Sequence, residues 1–165
     1  MPSLASSARK AGDLRVKLVQ PPGDRSCRTG GGWKACRDAS TGANYWMQEF
    51  SLLERTLAPS NFELLRQELH FKMRKAEAGR LNYGHDLNVE LLACAPTVLE
   101  LRLSARPGEH GRTCLIRLYF TEPDVHSEML LALKLAWKQP GPMGLEEQNG
   151  HARNAAWRAD RYLAM

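Results

Sequence analysis

The segment TCLIRLYF, residues 113–120, contains a run of apolar side chains that is typical of a buried strand. Successive side chains of a strand point to opposite faces of the sheet. Four apolar side chains therefore share one face: Cys114, Ile116, Leu118 and Phe120. Arg117 belongs to the opposite face, together with Leu115 and Tyr119. The arginine therefore need not be buried among the apolar side chains that precede and follow it.

The segments around it show the same alternation. VELLA (89–93), VLELRLS (98–104) and EMLLALKLAWK (128–138) are strand candidates, joined by connections short enough for antiparallel hairpins. WKACRD (33–38) predicts a first strand; after the turn STGAN, the segment YWMQEF resumes the extended chain. The pattern predicts a mostly antiparallel sheet of four to five strands.

Helical spacing predicts two helices before this sheet and one after it. The first is SLLERTL (51–57), and the second is 61–78, with Ser60 and Glu63 as a capping box and Gly79 as its stop. Its apolar face comprises Phe62, Leu65, Leu69, Met73 and Ala76. The last helix, 145–163, follows the linker KQPGPMG and should bury Leu145 and its alanines. Together these elements predict an α+β domain.

Charge divides the chain at about residue 32. Residues 1–32 hold six Lys/Arg and two Asp/Glu, a net charge of +4, whereas residues 33–165 hold seventeen and sixteen, a net of +1. We therefore expect a basic, disordered N-terminal arm at 1–32 and one folded domain at 33–165. Within the arm, LRVKLVQ (14–20) could form an isolated short strand. The arm could add non-specific affinity for nucleic acid, or it could be inert.

Composition argues against several classes of protein. No apolar run approaches the ~20 residues of a membrane helix, and no secretory signal follows Arg9 and Lys10, so we expect a cytoplasmic protein without membrane contact. The four cysteines lack the spacing of a zinc site, so neither a metal nor another cofactor is expected.

Three consecutive predicted strands each carry a cation on one face. These cations are Arg102, Arg117 and Lys134 or Lys138. Their side chains converge if the three strands pair as a meander. One interpretation is a face that meets water, with Arg102 paired to Glu100. The other is a site for phosphate, whose oxygens suit arginine forks.

The cations of helix 61–78, among them Arg66, Arg74 and Lys75, should be solvated or form a second phosphate-contacting face.

Ordered motifs from residue 33 to 163 resemble the RelE/HigB-type toxins of bacterial toxin–antitoxin systems, including the Gp49-like proteins. WKACRDASTGANYWMQEFSLL resembles that family's opening strand and first helix, VLELRL its "ELR" strand, and RTCLIRLYF its "R.R.LYF" strand. LLALKLAWK resembles the next strand, and RADRYL (158–163) resembles the end of the last helix. The family's lysine-rich segment after that strand is replaced by WKQPGPMG, so that Lys138 stands at the lysine position.

The resemblance implies a RelE/ParE-like fold and a metal-independent endoribonuclease that cleaves mRNA, commonly in the ribosomal decoding site, and so inhibits translation. The ribose 2′-oxygen attacks the adjacent phosphate, which requires charge stabilisation and proton transfer. The implied catalytic residues are Arg102, Arg117, Lys138 and Tyr119, and the implied RNA-binding residues are Lys134, Arg112, Arg158 and Arg161. The implied partners are mRNA, the ribosome and a cognate antitoxin of helix-turn-helix type.

An alternative within the same fold is a protein that acts by binding alone, as a gyrase poison or a phage-derived interaction module. Under the nuclease hypothesis, Arg117→Ala should relieve toxicity and keep a melting temperature close to wild type. Loss of folding would make Arg117 a structural ion-pair member.

All five histidines are expected at the surface, and Trp137 is expected in the core, away from the cations.

Overall fold

A computed structural model of the protein describes residues 30–82, 88–108, 111–123, 126 and 128–165. Within these ranges three helices accompany six strands, and the predicted α+β class is confirmed. In chain order the elements are β1 (Gly32–Ala35), α1 (Tyr45–Thr56), α2 (Pro59–Glu77), β2 (Val89–Leu91), β3 (Leu99–Arg102), β4 (Arg106–Pro107), β5 (Thr113–Thr121), β6 (Met129–Lys138) and α3 (Gly141–Leu163). The arm predicted at 1–32 lies outside the described residues except for Gly30, Gly31 and Gly32.

The strands form one mixed sheet in the order β1–β6–β5–β3–β2, with β4 paired to β5 beside this path. The pairs β2–β3, β3–β5 and β5–β6 are antiparallel, as the hairpin spacing predicts. β1 pairs with β6 in parallel, through Gly32 opposite Met129 to Ala35 opposite Ala132. The described sheet has one strand more than the upper end of the predicted four to five, because the two-residue β4 was interpreted as turn.

The first two helices begin earlier than predicted. The segment YWMQEF is the first half of α1 and not extended chain, and the Asn44 side chain caps the helix by accepting from the Met47 amide. The Ser60–Glu63 capping box is also wrong, because Pro59 already opens α2 and Glu63 accepts hydrogen bonds from Arg66 and Gln67. The apolar face of α2 and the stop at Gly79 are confirmed; Gly79 has the positive φ of +66° that favours glycine.

The last helix absorbs most of the predicted linker. α3 begins at Gly141, and a Cβ on Gly144 would lie only 1.5 Å from the Gln139 carbonyl oxygen. Glycine therefore allows the helix to start directly against the end of β6. Leu145, predicted to be buried, is 57% exposed. The buried face of α3 instead comprises Gly144, Gln148, Ala152, Ala155 and Ala159.

Two apolar clusters fill the two sides of the sheet. On one side α1 and α2 bury Leu53, Leu65 and Leu69 against Leu118 and Phe120. On the other side α3 places its alanines against Tyr119 and the β6 residues Leu131 and Leu133. The interpretation of a sheet face that meets water is therefore wrong over most of the sheet, although the Arg102–Glu100 ion pair that accompanied it is present. In the described ranges, no helix is both long and apolar enough to span a membrane.

Candidate functional site

The predicted convergence of cations on one side of the sheet is confirmed for three of them. Arg102 of β3 lies directly opposite Arg117 of β5. Lys138, at the end of β6, lies opposite Leu115, two residues from Arg117 and on the same face. α3 covers this side, and Lys138 donates a hydrogen bond to Gln148 of that helix. We call Glu100, Arg102, Arg117, Tyr119 and Lys138 the strand-end cluster.

Glu100 is the centre of the cluster. Its side chain is fully buried, with Oε1 3.3 Å from Nε of Arg117 and 3.6 Å from Nε of Arg102. Burial raises the pKa of the Glu100 carboxyl above its usual value, although Arg117 and Lys138 act in the opposite direction. The cost of desolvating this carboxylate is therefore only partly offset by its cationic neighbours.

Arg117 is a buried member of this ion pair. The residue is only 8% exposed, and its Nη1 donates to the backbone carbonyls of Leu103 and Ile116. Burial lowers the pKa of its guanidinium, which Glu100 partly restores. Truncating Arg117 would leave Glu100 buried without its main partner, so we no longer expect a melting temperature close to wild type.

The two other cations lie nearer the rim. Arg102 retains 29% side-chain exposure and forms an ion pair with Glu90 of β2 in addition to its contact with Glu100. Lys138 is partly exposed, and burial lowers the pKa of its ammonium while Glu100 raises it. These two side chains, at the open end of the cluster, are the ones that an anionic group from outside can approach.

Tyr119 is the buried aromatic member of the strand-end cluster. It lies opposite Glu100 in the sheet and is fully buried. Burial, and then the negative charge of Glu100, raise the pKa of its hydroxyl, so the phenol keeps its proton at neutral pH. A stacking contact with RNA would require an exposed ring, and the Tyr119 ring is fully buried.

Several polar atoms of the cluster are buried with unsatisfied hydrogen-bonding capacity. Both Glu100 carboxylate oxygens, Nε of Arg117 and the Tyr119 hydroxyl lack a hydrogen bond of good geometry to any described residue. Most buried polar groups in folded proteins are satisfied, so a group of exceptions needs an explanation. Their grouping around one carboxylate marks this end of the sheet as the candidate site.

The predicted RNA-binding residues Lys134 and Arg158 belong to a second cluster, around Glu49 of α1. Arg158 Nη1 donates to both Glu49 oxygens, at 3.0 and 2.9 Å, and to the Leu133 carbonyl. Lys134 donates to Asn154 Oδ1 at 2.9 Å. Burial raises the pKa of Glu49, whereas Arg158 lowers it. This cluster ties α1 and α3 to β6.

Arg112 and Arg161, the remaining predicted RNA-binding residues, are exposed. Arg112 lies just before β5, and Arg161 stacks on the Trp157 ring and donates to Ser40. Trp137 lies on the face opposite the cations, as predicted, but it is 37% exposed and therefore not a core residue.

The histidine prediction is correct for two of the three described histidines. His70 and His126 are exposed, while His85 and His110 lie outside the described residues. His151 is half-buried; its Nε2 lies 3.3 Å from the Trp137 carbonyl, and burial lowers its pKa. No group of three or more His, Cys, Asp or Glu side chains in the described ranges could hold a metal ion.

Sequence reasoning missed the carboxylates that organise both clusters. Glu100 was considered only as a partner of Arg102, although its alternation with Arg102 and its register with Tyr119 place it at the centre. Glu49 carried no signal, because the segment YWMQEF was interpreted as extended chain. A helical interpretation from Tyr45 would have placed Glu49 and Leu53 on one face, four residues apart.

Comparisons with family models, curated proteins and solved structures found no match for this chain.

Proposed function

We propose that this chain is the toxin of a type II toxin–antitoxin system, with a RelE/ParE-like arrangement of its sheet and helices. In this proposal it is a metal-independent endoribonuclease that cleaves mRNA on the ribosome and inhibits translation. The observation that carries the proposal is the strand-end cluster, in which three cations from three neighbouring strands meet around one buried carboxylate. The element order of strand, two helices, antiparallel strands and closing helix also supports it.

The cluster offers charge stabilisation for phosphate chemistry. Attack of the ribose 2′-oxygen on the adjacent phosphorus forms a cyclic phosphate and breaks the bond to the 5′-oxygen of the next nucleotide, which takes a proton from solvent and leaves as a 5′-hydroxyl. Negative charge that develops on the phosphate oxygens is stabilised by Arg102 and by Lys138, which is cationic once it has accepted the 2′-hydroxyl proton. Both side chains keep access to the outside. Arg117, behind them, adds positive charge without needing to touch the RNA.

Burial also gives Lys138 a role in proton transfer. Its lowered pKa increases the fraction of neutral amine, which is the form that accepts the 2′-hydroxyl proton. Glu100 opposes this shift, so the carboxylate sets how far the amine moves towards neutrality. Glu100 and Tyr119 are positioning residues in this scheme.

The proposal includes two kinds of partner. The substrate is mRNA in the ribosomal decoding site. The inhibitor is a cognate antitoxin, expected to be a helix-turn-helix protein that covers the cationic rim. Both would approach Arg102 and Lys138, so toxin activity would be regulated by occlusion of the cluster.

A second candidate function is binding without catalysis, as a gyrase poison or interaction module of the same fold. One observation favours it: Glu90 and Glu100 pair with Arg102 and Arg117, and this pairing neutralises much of the cationic charge. Under this alternative the ion pairs serve the fold, and toxicity would arise elsewhere on the surface.

Primer extension on a reporter mRNA after induced expression separates the two functions. We expect wild-type protein to arrest growth and to produce discrete new mRNA ends. Lys138→Ala should reduce cleavage by about 100-fold, the usual effect of losing one charge that stabilises a transition state. The matched control is Lys34→Ala, an exposed lysine of β1 in the same sheet, which should cleave like wild type.

Growth arrest by wild-type protein with intact reporter mRNA would contradict the nuclease and support the binding function. Cleavage that is equal for Lys138→Ala and wild type would remove Lys138 from the site and leave the reaction to other residues.

A further inference from the structure

A cleft with a volume of about 440 Å³ lies along the edge of β6 that faces away from β5. α1 forms one wall with Leu52 and Leu53, and α3 forms the other with Glu147 and His151. The floor is the β6 segment 134–137. Sites for small molecules in proteins have volumes of ~300–1,000 Å³. The cleft is therefore large enough for a small organic ligand.

The backbone along the floor is already hydrogen-bonded to side chains. Arg158, Glu49 and His151 contact the backbone of alternate β6 residues between positions 133 and 137. These contacts occupy the places that a further strand would need. Recognition in the cleft therefore depends on the lining side chains and not on pairing with the sheet edge.

Apolar side chains form much of the cleft. Leu52 is 50% exposed and Trp137 is 37% exposed, so both leave a large area in contact with water. The other apolar lining residues are Leu53, Leu135 and Ala136. A ligand with an apolar body would cover these side chains, and removal of their surface from water would favour binding.

Lys134 lines the floor as a cation without an ionic partner among the described residues. The residue is half-buried, and its ammonium donates a hydrogen bond to the neutral Oδ1 of Asn154 at 2.9 Å. An ammonium has three protons to donate. The neighbouring ion pair joins Arg158 to Glu49 and does not include Lys134. An anionic group in the cleft would supply the partner that this ammonium lacks.

Two carboxylates also line the cleft, but neither is paired with Lys134. Arg158 Nη1 donates to both oxygens of Glu49, so the charge of Glu49 is already compensated. Glu147 precedes Asn154 by two turns of α3, about 10 Å along the helix axis. The acidic end of the cleft is therefore separate from the end at which Lys134 meets Asn154.

The ionisable groups of the floor and of the α3 wall lie in a positive environment. Burial lowers the pKa of Lys134, and Arg158 lowers it further, with a larger effect than the opposing one of Glu49. Burial also lowers the pKa of His151, and Lys134 acts on it more strongly than Glu147 does in the opposite direction. A positive environment that disfavours protonation favours a bound anion.

We propose that the cleft binds a small organic acid, a molecule with an aromatic or branched apolar body and a single carboxylate or sulfonate group. The anionic group contacts the ammonium of Lys134, and the body covers Leu52 and Trp137. The cleft does not include the residues of the strand-end cluster, so this binding does not depend on the proposed RNA cleavage.

Two fluorescent dyes with the same aromatic body test the proposal, because one of them is charged. Anilinonaphthalene sulfonate is an anion, N-phenylnaphthylamine is its neutral analogue, and both brighten in an apolar site. We expect wild type to bind both dyes. Lys134→Met should weaken binding of the sulfonate about 10-fold and change binding of the neutral dye little. Lys34→Met, the matched control, removes the same charge from an exposed position of β1 and should bind both dyes like wild type.

Gly150→Met tests the same cleft by blocking it. Gly150 lines the cleft, and a Cβ at this position would meet no heavy atom within 4 Å. Methionine also favours a helix more than glycine does, so the fold should tolerate the change. This variant should weaken binding of both dyes. Binding of both dyes with wild-type affinity would overturn the proposal, even if Lys134→Met failed to fold.

Lys138→Met detects a dye that binds at the strand-end cluster instead. We expect this variant to bind both dyes like wild type, and circular dichroism checks that each variant is folded. The proposal is overturned if Lys138→Met loses the sulfonate, or if Lys134→Met binds the sulfonate as tightly as wild type. It is also overturned if folded Lys134→Met loses both dyes equally, because the charge would then have no part in recognition.

Discussion

The two sides of the central sheet are built from different chemistry. On the α1–α2 side, large apolar residues such as Leu65, Leu69, Leu118 and Phe120 fill the core. On the α3 side, small alanines of the helix leave room for Tyr119, and buried charges accompany the apolar residues. Successive residues of one strand serve both sides, since Ile116 and Leu118 belong to the first while Arg117 and Tyr119 belong to the second.

The first side of the sheet therefore mainly stabilises the fold, whereas the second side mainly positions charged groups. Burial of apolar side chains on the first side stabilises the fold without a polar desolvation cost. On the second side the ion pair of Glu100 and Arg117 gains little net free energy, because desolvation cancels much of the attraction between the charges. The pair instead fixes the position of buried charge directly behind Arg102 and Lys138, the two cations at the rim.

The largest expected effect is a loss of stability when an apolar side chain is removed from the α1–α2 side. Phe120 is fully buried and makes an edge contact with Trp33, with ring centroids 5.3 Å apart. Phe120→Ala should lower the free energy of unfolding by about 4 kcal/mol through lost burial and a cavity. Urea unfolding measures it, and a loss below about 1 kcal/mol would show that this side is not the main source of stability.

The next effect breaks the ion pair on the α3 side. Arg117→Ala should lower the free energy of unfolding by about 3 kcal/mol, because it leaves Glu100 buried without its main cationic partner. Arg153→Ala, an exposed arginine of α3, is the control and should change stability little. If Arg117→Ala is as stable as this control, the guanidinium is free for ligand binding and has no structural role.

A smaller effect is the pH dependence of stability that the buried Glu100 carboxyl on the α3 side produces. Because burial raises the folded-state pKa of Glu100 above its ordinary value of 4.5, the folded protein binds this proton more tightly than the unfolded chain. The stability linked to Glu100 is then fully present below pH 4.5 and is lost as the pH rises through the folded-state pKa.

Urea unfolding of wild type and Glu100→Gln between pH 4 and 8 tests the sign. The free energy of unfolding of wild type minus that of the variant should decrease as the pH rises. Glu146→Gln, an exposed glutamate of α3, is the matched control. A difference that increases with pH would mean that the ion pair outweighs the desolvation of Glu100.

The strands and the face of each side chain could be predicted from the sequence, because a period of two is a local property. Arg117 is on the predicted face, directly opposite Arg102. What covers that face is not local. Leu145 looked like a core residue of the last helix, yet the helix packs through Gly144 and its alanines, because Gly144 lets α3 start against the end of β6.

The carboxylates were the harder part of the site. Glu49 contacts Arg158 from 109 residues away along the chain, and no spacing rule predicts such a pair. Glu100 and Arg102 are two residues apart, so their shared face was predictable. That Glu100 also meets Arg117 depended on the register of β3 and β5, which alternation alone does not fix.

The most direct test of the account is to find which side of the molecule an RNA contacts. A short RNA with 2′-O-methyl riboses cannot undergo attack by the 2′-oxygen, and it can be titrated into ¹⁵N-labelled protein. We expect the largest amide shifts at Arg102, Lys138 and Gln148, around the strand-end cluster. Shifts concentrated at Arg66, Arg74 and Lys75 of α2 would contradict it and assign RNA contact to the side of the molecule that carries α1 and α2.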